Sequence, residues 1–301
     1  MPELNRRKRG TALRRGLQWA GSTLCLAGVL FVTLRFYEYG AQISIAHFNA
    51  FAWIVLAGFV LVYGAANVLL ALAWWDLLGF FGAVTTRAWA VRAYGLSQLA
   101  KYVPGNIFHL AGRQAFGLAA RLPGWPLAKS SLWELGLMSV TGALFVPLLA
   151  PLIARTNSAP WTWATFTTIL AIAVGSAWRW FGAPVARAVG LYALFLAVSG
   201  FVFVGVLALI APQGGLDLGL LPALCGAYVV AWLIGLVTPG APAGVGVREL
   251  VLLFLLGSFI SEAESLQAVV LARVVTVAGD VLYFAVAFIM RIEKKSRANN
   301  Q

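Results

Sequence analysis

Apolar residues in this chain run in long blocks separated by short polar or Pro/Gly segments. Six blocks stand out: Leu17 to Leu34, Phe51 to Trp75, Leu132 to Ile153, Trp163 to Trp178, Ala188 to Ile210 and Leu266 to Met290. Each approaches the ~20 residues that a helix needs to cross a ~30 Å hydrocarbon core, so each is expected to be a transmembrane helix. Tryptophans near the block ends, at Trp53, Trp74, Trp75, Trp161, Trp163 and Trp178, fit the aromatic belts of membrane interfaces.

Two further stretches are apolar but interrupted. Val91 to Ala120 breaks at Pro104-Gly105-Asn106, and Leu220 to Ile260 breaks across "TPGAPAGVGVRE". Proline removes a helix hydrogen bond and glycine leaves helical geometry readily. The freed backbone groups cannot face lipid and must line protein or a wet cavity, so both stretches are expected to be re-entrant helical hairpins.

The two breaks share a pattern, "PGNIFHLAGR" from Pro104 and "PGAPAGVGVR" from Pro239, each with an arginine nine residues after the proline. Each is preceded by two spans and followed by one. The expected architecture is therefore an all-α, polytopic, single integral membrane domain over residues 1–301, with internal halves of about 1–157 and 158–301. Three crossings per half make the second half inverted relative to the first, an arrangement in which paired broken helices mark a binding site. Eight full spans are the alternative topology.

Composition agrees with a membrane protein: 61% of residues are hydrophobic, 11% are charged and mean hydropathy is +0.86. The net charge of +12 changes the picture through its placement. Arg6, Arg7, Lys8, Arg9, Arg14 and Arg15 precede the first block, and Arg291, Lys294, Lys295 and Arg297 follow the last. These are membrane-flanking cations, which orient both termini to the cytoplasm and require no nucleic acid. Arg87, Arg92, Arg121, Lys129, Arg179 and Arg187 fall on the same side under the six-span count. The first block is followed by "LRFYEYG" with no small-x-small cleavage site, so an uncleaved span is expected there. Cys25 and Cys225 sit inside apolar blocks and read as small core residues.

Charges inside apolar blocks cost at least ~2.5 kcal/mol on insertion scales and mark the candidate chemistry. Around the first break these are Lys101, His109 and Arg113, together with Asn106 in the break itself. Tyr94, Ser97 and Lys101 lie at helical spacing before it, and His109 and Arg113 lie one turn apart after it, so both arms can direct polar groups into one cavity. At the second break Gly240, Gly244 and Gly246 can expose backbone N–H groups to an anion, and a helix starting near Gly246 would add Arg248. Glu249 in its first turn reads either as part of that site or as a cap. Glu134, Arg273 and Asp280 are candidate gate or ion-pair residues, with Arg273 and Asp280 two turns apart on one face and Glu134 able to neutralise Lys101 or Arg113. Of these alternatives, Lys101 and Arg113 facing a hydrated, phosphate-receiving cavity is the preferred expectation. Asp76 and His47 read as interfacial or loop residues.

"KYVPGNIFHLAGR" and "TPGAPAGVGVREL" resemble the two signature stretches of the lysylphosphatidylglycerol synthase transmembrane region and its stand-alone flippase-like relatives, over essentially the whole chain. The resemblance implies a multi-pass protein of the plasma (inner) membrane whose relatives translocate aminoacylated phospholipids or act in polyprenyl-linked glycolipid pathways. Aminoacylating relatives carry a soluble transferase domain after the membrane region, where this sequence reads "RIEKKSRANNQ", so lipid aminoacylation is not expected.

The leading functional expectation is a lipid transporter or flippase whose cationic hairpins hold an anionic phospholipid or polyprenyl-linked glycolipid headgroup, with no cofactor. No P-loop motif is present, so gradients or downhill transfer would drive it. A second reading is a non-catalytic membrane partner of envelope lipid or glycan synthesis proteins, in which the hairpin charges satisfy one another. A third is a membrane transferase with His109 or Glu249 as base, which lacks a metal ligand set and a nucleophile constellation.

Overall fold

The computed structural model describes residues 49–103, 108–154, 159–210, 218–238, 244, 246–257 and 260–290. The first expected span, Leu17 to Leu34, and the break residues Asn106 and Gly240 lie outside the described residues. The described part is all-helical, with no strand.

Helix α1, Ala50–Phe80, starts where the Asn49 side chain accepts a hydrogen bond from the Ala52 amide at 2.9 Å. Helix α2, Arg87–Gln98, starts the same way at Thr86 and tightens into a 3-10 turn, Leu99–Tyr102. After the first break come α3, Phe108–Ala119, and α4, Gly124–Ala143. The chain continues through a 3-10 turn, Val146–Leu149, into the short α5, Ala150–Ala154. Helices α6, Ala159–Phe181, and α7, Ala183–Ile210, form the next pair. Helix α8, Leu221–Val237, leads to the second break, α9 is Val247–Leu256, and α10 is Glu262–Ile289.

Four of these segments are long and apolar enough to cross a membrane: Ala50–Phe80, Gly124–Ile153, Ala183–Ile210 and Glu264–Ile289. They match four of the six expected blocks. The block Trp163 to Trp178 forms α6 but does not join the four. Its threonines and Arg179 dilute its apolarity, although Thr165 and Thr167 return their hydroxyls to the carbonyls of Trp161 and Trp163. Between 39% and 61% of each apolar window is buried inside the bundle, which leaves apolar side chains such as Ile54, Leu61 and Phe288 facing outward. Helices apolar on both their inner and outer faces suit lipid rather than water.

Close packing positions the charged residues. Trp74 is fully buried and its indole donates to Ser130 Oγ at 3.1 Å, tying α1 to α4. A Cβ placed on Gly279 would lie 2.8 Å from Tyr63 and 3.0 Å from the Gly64 amide, so only glycine lets α10 cross α1 this closely. That crossing sets Asp280 against the middle of the bundle.

In each interrupted stretch the two described arms pack against one another. In the first, Gly112 of α3 lies over Ser97 of α2, and Gly117 meets Leu127 back at the end where the stretch began. In the second, Gly244 presses on the Gly235 backbone, 3.0 Å from a Cβ built there. With a φ of +72°, Gly244 occupies backbone space that a side chain would disfavour twice over. An arm of each stretch touches the middle of α10, the first through Lys101 and Tyr102 at Asp280 and the second through Glu249 at Arg273. These seven positions along a helix span about 10 Å.

The two ends of the bundle differ in charge. At one, the Trp133 ring meets Phe81 and Phe181 at 5.5 and 5.1 Å. Arg87 lies 4.7 Å over Trp75, Lys129 lies 5.7 Å over Phe81, and Arg187 pairs with Asp76 at 2.6 Å at this same end. Asp76 is thus a buried helix residue rather than a loop residue. At the other end Asn49, Ile210 and Gln267 share a depression between the starts of α1 and α10 and the end of α7.

Candidate functional site

Between the described arms of the two stretches lies a cavity of about 90 Å³. Lys101, His109 and Arg113 reach it from the first folded-back stretch, and Trp232, Leu236 and Arg248 from the second. Helix α10 contributes Arg273 and Thr276, and α4 contributes Glu134. The volume suits a few waters or one headgroup-sized polar group, well short of a whole lipid.

The first stretch brings its cations with partners attached. Arg113, 1% exposed, donates to Glu134 Oε2 at 2.5 Å, and the Tyr94 hydroxyl donates to Glu134 Oε1 at 2.8 Å. The Arg113 guanidinium also stacks 4.3 Å over the Tyr94 ring. Lys101 pairs with Asp280 at 2.7 Å, and the same carboxylate accepts from the Tyr102 hydroxyl at 2.5 Å and from Gln98 at 3.2 Å. Gln98 in turn donates to Asn67 of α1 at 2.8 Å. Removing one member of a pair this buried strands the other charge, at a cost of about 3–5 kcal/mol. Lys101 and Arg113, expected to face a phosphate-receiving cavity, do border it, and each also holds a carboxylate, Asp280 for Lys101 and Glu134 for Arg113. His109 pairs with no acid, and its Nδ1, like Arg113 Nε, is buried with no hydrogen-bond partner among the described residues.

The second stretch is built differently. Gly246, at a φ of +86°, precedes the first residue of α9, where the glycine spacing placed a helix start. Its amide donates to Glu249 Oε2 at 2.6 Å, so that N–H is occupied and Glu249 acts as a cap. Glu249 Oε1 also lies 3.7 Å from Arg273 Nε. Arg273 and Asp280 are thus not partners of each other; each ties α10 to a different tip. Arg248 is 5% exposed and stacks 4.1 Å over the Tyr228 ring. It forms no ion pair among the described residues.

The two halves therefore repeat one detail that the sequence comparison did not include. Arg113 stacks on Tyr94, ten residues before Pro104, and Arg248 stacks on Tyr228, eleven before Pro239. Tyrosine at matched distances before the matched breaks was the signal available. Ser97 leaves the expected set, since its hydroxyl bonds the Tyr94 carbonyl beneath Gly112. Asn67 and Gln98 join the network, and two amide side chains in apolar helices were legible as anomalies. Among the described residues no cluster of His, Cys, Asp and Glu could hold a metal ion.

No protein-family model and no curated protein matches this chain.

Proposed function

We propose that the protein is a membrane carrier of an anionic lipid headgroup, phospholipid or polyprenyl-linked, that lodges between two re-entrant hairpins while its tails stay in the bilayer. One observation carries this reading: Arg248, buried and stacked on Tyr228, borders the cavity without a counter-ion among the described residues. A buried, uncompensated guanidinium is costly, and an anion in the cavity would remove that cost. The unpartnered Nδ1 of His109 borders the same space and offers a hydrogen bond.

The packing of the two arms of each interrupted stretch, Gly112 on Ser97 and Gly244 on Gly235, supports six spans with two re-entrant hairpins in an inverted repeat. Arg87, Lys129 and Arg187 gathered at one end support a cytoplasmic orientation for that end and for the two basic tails in the plasma (inner) membrane. The two motif stretches resemble flippase-like membrane regions, which is the same reading reached by another route.

The test is transport. Purified protein in liposomes containing fluorescent headgroup-labelled phosphatidylglycerol should raise the fraction of label that moves between leaflets, read as protection from dithionite. Arg248→Met should abolish the increase while keeping the same elution volume and helical content. Equal scrambling by wild type and variant, or none by wild type, rejects the carrier reading.

A second reading has its own support. Lys101, Arg113 and Arg273 are all paired within the protein, as expected of a non-catalytic partner in envelope lipid or glycan synthesis. It gains if no lipid moves and the protein instead co-purifies with membrane glycosyltransferases.

A further inference from the structure

Counted over the described residues, the cavity between the arms is nearly charge-balanced. Four cations border it: Lys101, Arg113, Arg248 and Arg273. Three of them hold acids, since Lys101 binds Asp280, Arg113 binds Glu134 and Arg273 lies against Glu249. Among the described residues the Arg248 charge is the one left over. His109 is counted neutral, because Lys101 and Arg113 border the same space and no acid among the described residues pairs with it.

From this balance we infer that the site takes a headgroup with one negative charge, a lipid phosphodiester, and discriminates against a diphosphate. The inference rests on the carrier reading above and narrows its substrate class. A phosphodiester presents one charge to share with Arg248 and leaves oxygens that can accept from His109. A diphosphate brings at least one further charge, and the remaining cations can meet it only by releasing Glu134, Asp280 or Glu249. Releasing Glu134 or Asp280 would strand a carboxylate whose side chain is 4% or 1% exposed, so the second charge gains nothing net. A zwitterionic headgroup fails for the opposite reason, since its ammonium finds no unpaired acid among the described residues.

Three probes on one soluble dihexanoylglycerol tail separate charge from tail chemistry: phosphatidylglycerol, phosphatidylcholine and the diacylglycerol diphosphate. They are titrated against the detergent-purified full chain, with melting temperature and calorimetry as readouts. Phosphatidylglycerol should stabilise the wild type and bind at least about tenfold more tightly than either other probe, a modest share of the cost of a stranded charge. Arg248→Met should lose the phosphatidylglycerol response. Glu249→Gln removes an acid and raises the leftover charge from one to two, so it should shift preference toward the diphosphate; Glu134→Gln should do the same if it folds. A wild type that prefers the diphosphate, or a Glu249→Gln variant with unchanged preference, overturns the one-charge inference and leaves the carrier reading standing. Binding of none of the three overturns both.

Discussion

Arg113 donates to Glu134 at 2.5 Å across the gap between α3 and α4, with both side chains almost wholly closed to solvent. Glu134 opens no route for solvent, and its second oxygen is taken by Tyr94. The pair is therefore a strut between the first folded-back stretch and the bundle.

Replacing Glu134 by Gln should lower stability in detergent by roughly 3 kcal/mol, because the Arg113 charge is left buried and alone. Adding Arg113→Met should recover most of the loss, since an apolar side chain of similar length needs no counter-ion. Thermal melts of the wild type, both single variants and the double variant give the coupling energy. A double variant no more stable than Glu134→Gln would mean that the pair is not the strut.

Asp280 holds three groups of the first stretch, Lys101, Tyr102 and Gln98. Asp280→Asn should loosen the 3-10 turn, seen as faster amide exchange over residues 99–103 at unchanged exchange in α7. Lys101→Met on that background should restore part of the protection, but only part, because the Tyr102 and Gln98 bonds to a carboxylate stay weakened. Unchanged exchange in Asp280→Asn would separate the turn from α10.

Gly279 is the closest crossing of α1 and α10. Gly279→Val forces the helices apart and should cost about 1–3 kcal/mol or more, together with the site behind it. Gly136 and Gly175 have open space where a Cβ would go, so Gly136→Ala and Gly175→Ala should be neutral or slightly stabilising in the same melt. Tolerance of Val at 279 would show that the crossing is looser than its distances.

Single cysteines test the topology. Thr86→Cys and Pro123→Cys lie at the basic end and should resist impermeant maleimide applied to intact cells, whereas Glu264→Cys at the start of α10 should react. Reaction at Pro123 from outside would mean that the first stretch crosses fully, and the re-entrant reading would fall.

The helical membrane character was legible in the chain itself, because it depends on local quantities. Block length, apolarity, Asn49 and Ser261 as caps, and glycine before Val247 each act within a few residues, so α1, α4, α7, α9 and α10 could be placed from sequence. The block that became α6 shows the limit of that reading: its threonines weaken the apolar signal while the backbone stays helical. Of the buried charges, Glu134 with Arg113 was legible as one of two alternatives, and the partners of Arg273 and Asp280 were not. Arg273 and Asp280 share a helix face and looked like partners, yet each found an acid or cation on another element at shorter reach.

The sequence by itself determined that charges lie in apolar helices beside two matched breaks, since composition, spacing and proline chemistry are properties of the chain alone. Only the tertiary structure decided that Lys101, Arg113 and Arg273 are compensated while Arg248 stacks on Tyr228 with no carboxylate among the described residues. The physical reason is range. A buried charge is settled within about 4 Å, and the groups at that distance come from helices dozens to nearly two hundred residues away, brought there by close crossings such as Gly64 on Gly279.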